Sequence, residues 1–185
     1  MTILSQNRRN LSQVHTHIIY FNIQNHTMSI DYLTGAFNRK NLDGYLLAKI
    51  NGASAEQTFS AIMLDLNDFK MINDTFGHNV GDIILKDTVK ILGGIVRRND
   101  FVSRFGGDEF ILILDTSSYD ELLLMVSRIE DAIMRYNDVN TIQYKLSVCM
   151  GYDVYDYKSG MEASEFLEHI DSLMYQQKRQ NKSVY

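Results

Sequence analysis

The stretch that most restricts the fold is Phe101–Leu114, FVSRFGGDEFILIL, in which two β-prone runs flank Gly106 and Gly107. Glycine accepts positive φ without steric cost, so paired glycines between such runs predict a tight β-hairpin. Asp108 and Glu109 follow at once and therefore stand at the hairpin tip. Two carboxylates there repel one another and add nothing to a core. The tip alone is open to two readings, a solvated acidic turn or a pair kept for a metal ion or charged substrate.

What surrounds the hairpin must supply a core. The chain has 185 residues, 45% of them hydrophobic and 22% charged, enough for one globular domain plus an appendage. The formal net charge of -5 gives no general attraction to nucleic acid or an anionic membrane, so no nucleic-acid partner is expected and any phosphate-bearing ligand is small. Cys149 is the single cysteine, which excludes intramolecular disulfides and cysteine-rich zinc sites and suits a reducing cytoplasm. The apolar stretch Ile18–Phe21 is too short to span a membrane and no signal-peptide layout precedes it.

Residues 1–29 carry Leu4, Leu11, Val14, Ile18, Phe21 and Ile23 in a loose heptad-like spacing, which predicts a helical stalk or linker. From about residue 30 a domain begins. Phe37, Leu42, Leu46, Leu47 and Ile50 follow at helical spacing, and Phe59–Asp65 reads as a buried strand ending in an acid. A polar segment, FKMINDTFGHNVGD, is expected to hold a loop and a helical turn, with a helix over Asp82–Arg97 after it. Beyond the hairpin, Tyr119–Tyr136 reads as an amphipathic helix, Thr141–Tyr152 as a strand and Glu162–Gln180 as a last helix. Cys149 and Met150 read as plain core residues of that strand. This order predicts an α+β fold, an antiparallel or mixed sheet with helices on its faces.

A series of short motifs then falls in one order: Asp31-Tyr-Leu-Thr-Gly, Asn38-Arg39, Asp65-Leu-Asn-Asp-Phe-Lys70, Asn73-Asp74, Phe76-Gly-His78, Gly81-Asp82 and Arg104-Phe-Gly-Gly-Asp-Glu-Phe110. In this the chain resembles the GGDEF domain, the diguanylate cyclase family, from Asp31 to about Lys182. The resemblance implies a polymerase-palm-like or ferredoxin-like α/β domain with about five strands. It also implies joining of two GTP molecules into cyclic di-GMP, a bacterial second messenger, with release of two pyrophosphates.

The chemistry fits these residues on its own terms. In nucleotidyl transfer charge builds on the attacking 3′-hydroxyl oxygen and on the leaving pyrophosphate, which a pair of Mg²⁺ (or Mn²⁺) ions bound by hard oxygens can neutralise. By the resemblance Asp65, Asp108 and the Leu66 carbonyl hold metal, Asp108 also serves the 3′-hydroxyl, and Glu109 supports metal or hydroxyl. Gly106 and Gly107 leave room for the nucleotide. A chain passing from strand to helix exposes unpaired N–H groups, an anion site that would place Asp68, Phe69 and Lys70 at the terminal phosphates. Lys70 alone reads equally as a solvated lysine. Asn73 and Asp82 match the family's guanine readers, and Asp82 also reads as a helix N-cap. Lys178 and Lys182 fall where the family reaches back to the triphosphate. The second is commonly arginine, so lysine loses the bidentate fork; Lys182 also reads as a helix-end charge.

Arg97-Arg98-Asn99-Asp100 precedes the hairpin where many members carry an RxxD product-inhibition motif, and Arg128 stands where a neighbouring subunit often supplies another arginine. An arginine fork pairs with guanine O6 and N7. Because each domain holds one GTP, the resemblance implies an antiparallel homodimer, brought together by the N-terminal helix. Asp31 and Arg104 are open to pairing within the chain, across that dimer or as a surface salt bridge. The expected setting is cytoplasmic, with an upstream sensor or membrane tether in the natural chain left open, as is a catalytically silent member that senses GTP or cyclic di-GMP.

Overall fold

The computed structural model describes residues 29–140 and 144–182, the side chains of residues 181 and 182 excepted. The stalk expected over residues 1–29 lies, Ser29 apart, outside them. Five strands form one sheet in the order β1-β3-β4-β2-β5, where β1 is Phe37–Asn38, β2 Ser60–Leu66, β3 Phe101–Arg104, β4 Glu109–Leu114 and β5 Val148–Val154. Only the β1–β3 pairing is parallel; the others are antiparallel. The helices are α1 Arg39–Asn51, α2 Phe69–Phe76, α3 His78–Gly93, α4 Tyr119–Val139 and α5 Ala163–Lys182.

The central position of β2 explains its sequence. Flanked by β4 and β5 and covered on both faces, every residue of SAIMLDL is buried, which is why it reads as a continuous apolar run rather than an alternation. Ile62, Leu64 and Leu66 enter the core beneath α2, α3 and α4 with Ile72, Ile84, Leu122 and Ile129. Ala61 and Met63 face α1 and α5 and pack with Leu42, Leu46, Phe166, Ile170 and Met174. Asp65 continues this second set by the two-residue period of a strand.

Several expectations shift. Phe37 is not on the helix but in β1, stacked on Phe101 at 4.5 Å between ring centroids. Leu47 keeps its helical spacing yet is 55% exposed. The polar segment after β2 forms a full helix of eight residues, α2. The next helix begins at His78 and ends at Gly93, so Asp82 lies inside it and does not cap it, and Arg97 lies beyond its end. Gly77, at φ 84, joins α2 to α3 in a backbone conformation that side chains disfavour. The last strand starts at Val148 because the preceding backbone is claimed elsewhere: the Asn137 side chain donates to the Leu146 carbonyl at 2.7 Å and accepts from its N–H at 2.8 Å. Residues 141–143 of the expected strand lie outside the described residues.

Candidate active site

The acidic residues meet at one end of the sheet. Antiparallel pairing places Asp65 of β2 opposite Glu109 of β4, and the Leu66 N–H donates to the Asp108 carbonyl at 3.2 Å. Glu109, 44 positions from Asp65 in the sequence, thus becomes its neighbour by register alone. From the helix side, Lys178 of α5 donates to Asp65 Oδ1 at 2.6 Å. Burial and then the Asp65 charge push the Asp108 carboxyl above the usual range. Glu109 is pushed up by burial, then by Asp65, Asp108 and Asp171. Desolvation alone would lower the Lys178 ammonium, but the bond to Asp65 outweighs it and holds Lys178 above its ordinary value.

The hairpin is held from below by Arg104. Its guanidinium donates to the Gly107 carbonyl through Nε at 3.2 Å and Nη2 at 2.7 Å. Nη1 meets both carboxylate oxygens of Asp31 at 3.1 and 3.2 Å. The Asp31–Arg104 pair is therefore formed within the chain. Burial raises the Asp31 carboxyl, but bonds from Thr34 and Arg104 more than offset this and leave it below the ordinary value. The glycines do not owe their place to left-handed backbone, since the glycines with positive φ are Gly35, Gly77 and Gly160. At Gly106 a Cβ would meet the Glu109 carboxylate, whereas Gly107 faces open space.

Arg104→Ala is expected to cost about 2 kcal/mol in urea unfolding at neutral pH, as charged hydrogen bonds of this kind are worth. Because Asp31 has a lowered pKa in the fold, its contribution is full above the ordinary carboxylate value of 3.8 and is lost as pH falls through the folded value. The gap between parent and variant is therefore expected to close in acid. A gap that stays constant down to the acid transition would contradict the pairing.

On the other face, β2 runs into α2 through Asp68, whose φ of 57 is a left-handed conformation rare outside glycine. The first-turn amides of α2, those of Phe69 and Lys70 among them, have no intrahelical acceptor, and Lys70 is exposed beside them. Asn73 on α2 is seated against Gly81 on α3, where any Cβ would collide with its side-chain amide. Asp82, the next residue, is half-buried in the first part of α3. Gly81 was quoted in the motif but given no task; its signal is that only a missing side chain lets Asn73 approach. The expectation for Lys182 falls on a side chain outside those described.

A family model described as "Diguanylate cyclase, GGDEF domain" matches residues 28–183. The chain belongs to the GGDEF family. Diguanylate cyclase DosC of Escherichia coli K12 is 31% identical over 97% of this chain, which spans 40% of DosC. The GGDEF domain of TpbB (YfiN) from Pseudomonas aeruginosa matches at 29% identity and TM-score 0.73, covering 82% of this chain and 89% of that one. The GGDEF domain of DgcB from Caulobacter crescentus, solved with c-di-GMP, matches at 25% identity and TM-score 0.74, over 82% and 90%.

Diguanylate cyclases with this domain generally need a divalent metal. The donor chemistry here suits one: hard carboxylate oxygens of Asp65, Asp108 and Glu109 meet at one sheet end, and burial, then neighbouring negative charge, raises the proton affinity of Asp108 and Glu109. Among the described residues no three His, Cys, Asp or Glu side chains are close enough to hold an ion together. Asp65 and Asp108 with the Leu66 carbonyl are the groups that could hold an ion.

Arg97, Asp100 and Arg128 line a single pocket, together with Asp115 and Glu121. Arg128 thus joins the other two within one chain. Asp100 is already engaged, accepting from the Arg97 N–H at 2.7 Å and from the Asp115 N–H at 3.1 Å. It fixes the turn that presents Arg97. No helix among the described residues is long and apolar enough to cross a membrane.

Proposed function

We propose that this domain is an active diguanylate cyclase that condenses two GTP molecules into cyclic di-GMP. The observation that carries the reading is the convergence of Asp65, Asp108 and Glu109 at one sheet end, with Lys178 on Asp65 at 2.6 Å. In each half-reaction a 3′-oxygen forms a bond to an α-phosphorus while the bond from that phosphorus to pyrophosphate breaks. Asp108 accepts or orients the hydroxyl proton in this reading, which its place beside Asp65 and its raised proton affinity support. Glu109 supports it from the next position of the strand. Lys178 and Lys70 offer positive charge to the triphosphate from opposite sides of β2, with the α2 amides near Asp68 and Phe69, and Lys182 extends the α5 end. Asn73 and Asp82 read the guanine edge. Two Mg²⁺ ions held by Asp65, Asp108 and the Leu66 carbonyl would neutralise the attacking and leaving oxygens.

Each chain presents one such half-site, so the product requires two chains in antiparallel arrangement. The test is GTP with Mg²⁺ at several protein concentrations, with product resolved by chromatography. Specific activity is expected to rise with protein concentration. GTP binding without product at any concentration would instead identify a silent sensing domain.

The pocket of Arg97, Asp100 and Arg128 is read as the site of product inhibition. Arg97→Ala is expected to raise the cyclic di-GMP concentration needed for inhibition by about tenfold or more, the worth of one arginine–guanine fork. Unchanged inhibition, or no binding of cyclic di-GMP to the parent by calorimetry, would remove this assignment.

A further inference from the structure

On the α1–α5 side of the sheet lies a cleft of about 940 Å³ that none of these roles uses, except where Glu109 and Phe105 form its end. One wall is a stripe of α1, Arg39, Asp43, Leu47 and Ile50, spaced four, four and three residues apart and so on one helix face. The facing wall is Glu162 with Ser164, Leu167, Glu168 and Asp171 of α5. Between them the floor is apolar, built from Met63 and Tyr155, each 3% exposed. Leu42 and Leu46 bury the other side of α1 in the core; on the cleft side Ile50 packs partly against that core and Leu47 stands 55% exposed.

The charge on this cleft is one-sided. Asp43, Glu162, Glu168 and Asp171 are exposed along its rim and Glu109 closes one end. The single cation of the lining, Arg39, is turned over the Phe105 ring at 4.3 Å. An apolar floor between acidic rims matches one kind of occupant best, a helix with an apolar stripe flanked by Lys and Arg.

We propose that this cleft is a docking site for a basic amphipathic helix of a partner protein. The apolar stripe would cover Leu47, Ile50 and Leu167, and its cations would reach Asp43, Glu162, Glu168 and Asp171. A helix seated there ends beside Phe105 and Glu109, so the partner contacts the proposed catalytic loop without entering the nucleotide side at Asn73 and Asp82.

The probe is a fluorescent Leu/Lys amphipathic peptide of about 14 residues, four turns, titrated with the full chain by anisotropy. Binding is expected to saturate at one peptide per chain and to weaken severalfold between about 0.05 and 0.3 M salt. Glu162→Lys with Glu168→Lys, and separately Leu47→Ser, should each weaken it by about tenfold. Asp131→Lys with Asp138→Lys, the same charge change on α4, should leave it within about twofold. Equal loss in the α4 pair would reduce the effect to general acidity and overturn the proposal, as would absence of binding. If Leu47→Ser instead dissociates self-associated chains in sedimentation and the peptide does not bind, the cleft belongs to a second copy and the partner helix is ruled out. These readouts are binding and mass, so they stand apart from any failure of the cyclase reading.

Discussion

Replacing Asp108 by Asn is expected to reduce cyclic di-GMP formation by about a thousandfold or more. A divalent ion's charge stabilisation in such transfers is worth several kcal/mol, and about 4 kcal/mol corresponds to that factor. The amide keeps the shape of the hairpin tip, whose backbone is held by Arg104 and by the Leu66–Asp108 bond rather than by the Asp108 side chain. Loss of activity should therefore come without loss of structure. The stability change has the opposite sign. Asp108 has a raised folded pKa, so the native state holds its proton more tightly than the unfolded chain does. Stability of the metal-free domain then erodes as pH rises from the ordinary value of 3.8 through the folded one. Asn removes that erosion, and urea unfolding in chelator at neutral pH should show a variant at least as stable as the parent. A variant with full activity would displace Asp108 from the reaction, and one that is inactive because it is unfolded would show a lower midpoint.

The largest expected effect on stability comes from Gly151. In β5 it pairs with Met63 and faces α5 so closely that a Cβ would strike the Ile170 carbonyl and the Met174 amide. Both are backbone atoms, so no side-chain rotation relieves the collision and the helix itself has to move. Gly151→Ala is expected to cost about 3 kcal/mol, the upper range for overpacking. For a domain of this size that lowers the thermal midpoint by about 6–12 °C. Since α5 carries Lys178, displacement should also weaken GTP binding in the folded fraction. Gly107→Ala is the control: with nothing within 4 Å of its Cβ, a change within about 0.5 kcal/mol is expected. Equal effects at the two positions would contradict the packing.

What could be read from the sequence follows from how local each signal is. β3, β4 and their turn are legible because alternation, glycine and length all lie within fourteen consecutive positions. β2 is legible because burial on both faces writes a long apolar run. β1 is only two residues long and gains its identity from a parallel neighbour more than sixty positions away, so no local pattern marks it. The start of β5 is set by one side chain, Asn137, on a different element. Leu47 misleads because helical spacing reports which residues share a face, not whether anything covers that face. The site divides in the same way. Asp108 and Glu109 stand out locally, whereas the contact between Asp65 and Lys178 spans 113 positions and is visible beforehand only through resemblance to a family. Arg39 was quoted in the motif series but given no task there, and Asp171 beside Glu109 had no signal of its own.

The Arg104 guanidinium ties a turn at the start of the domain to the loop at its chemical end. Asp31 sits where the chain enters, Gly107 one residue before Asp108, and a single planar group bonds to both. Mechanically this is a short linkage: a twist applied to the chain at Asp31 pulls on the Gly107 carbonyl without first passing through either hydrophobic core. One guanidinium thus joins positions 76 residues apart, the Asp31 carboxylate and the Gly107 carbonyl, and holds the loop next to Asp108 against the start of the domain.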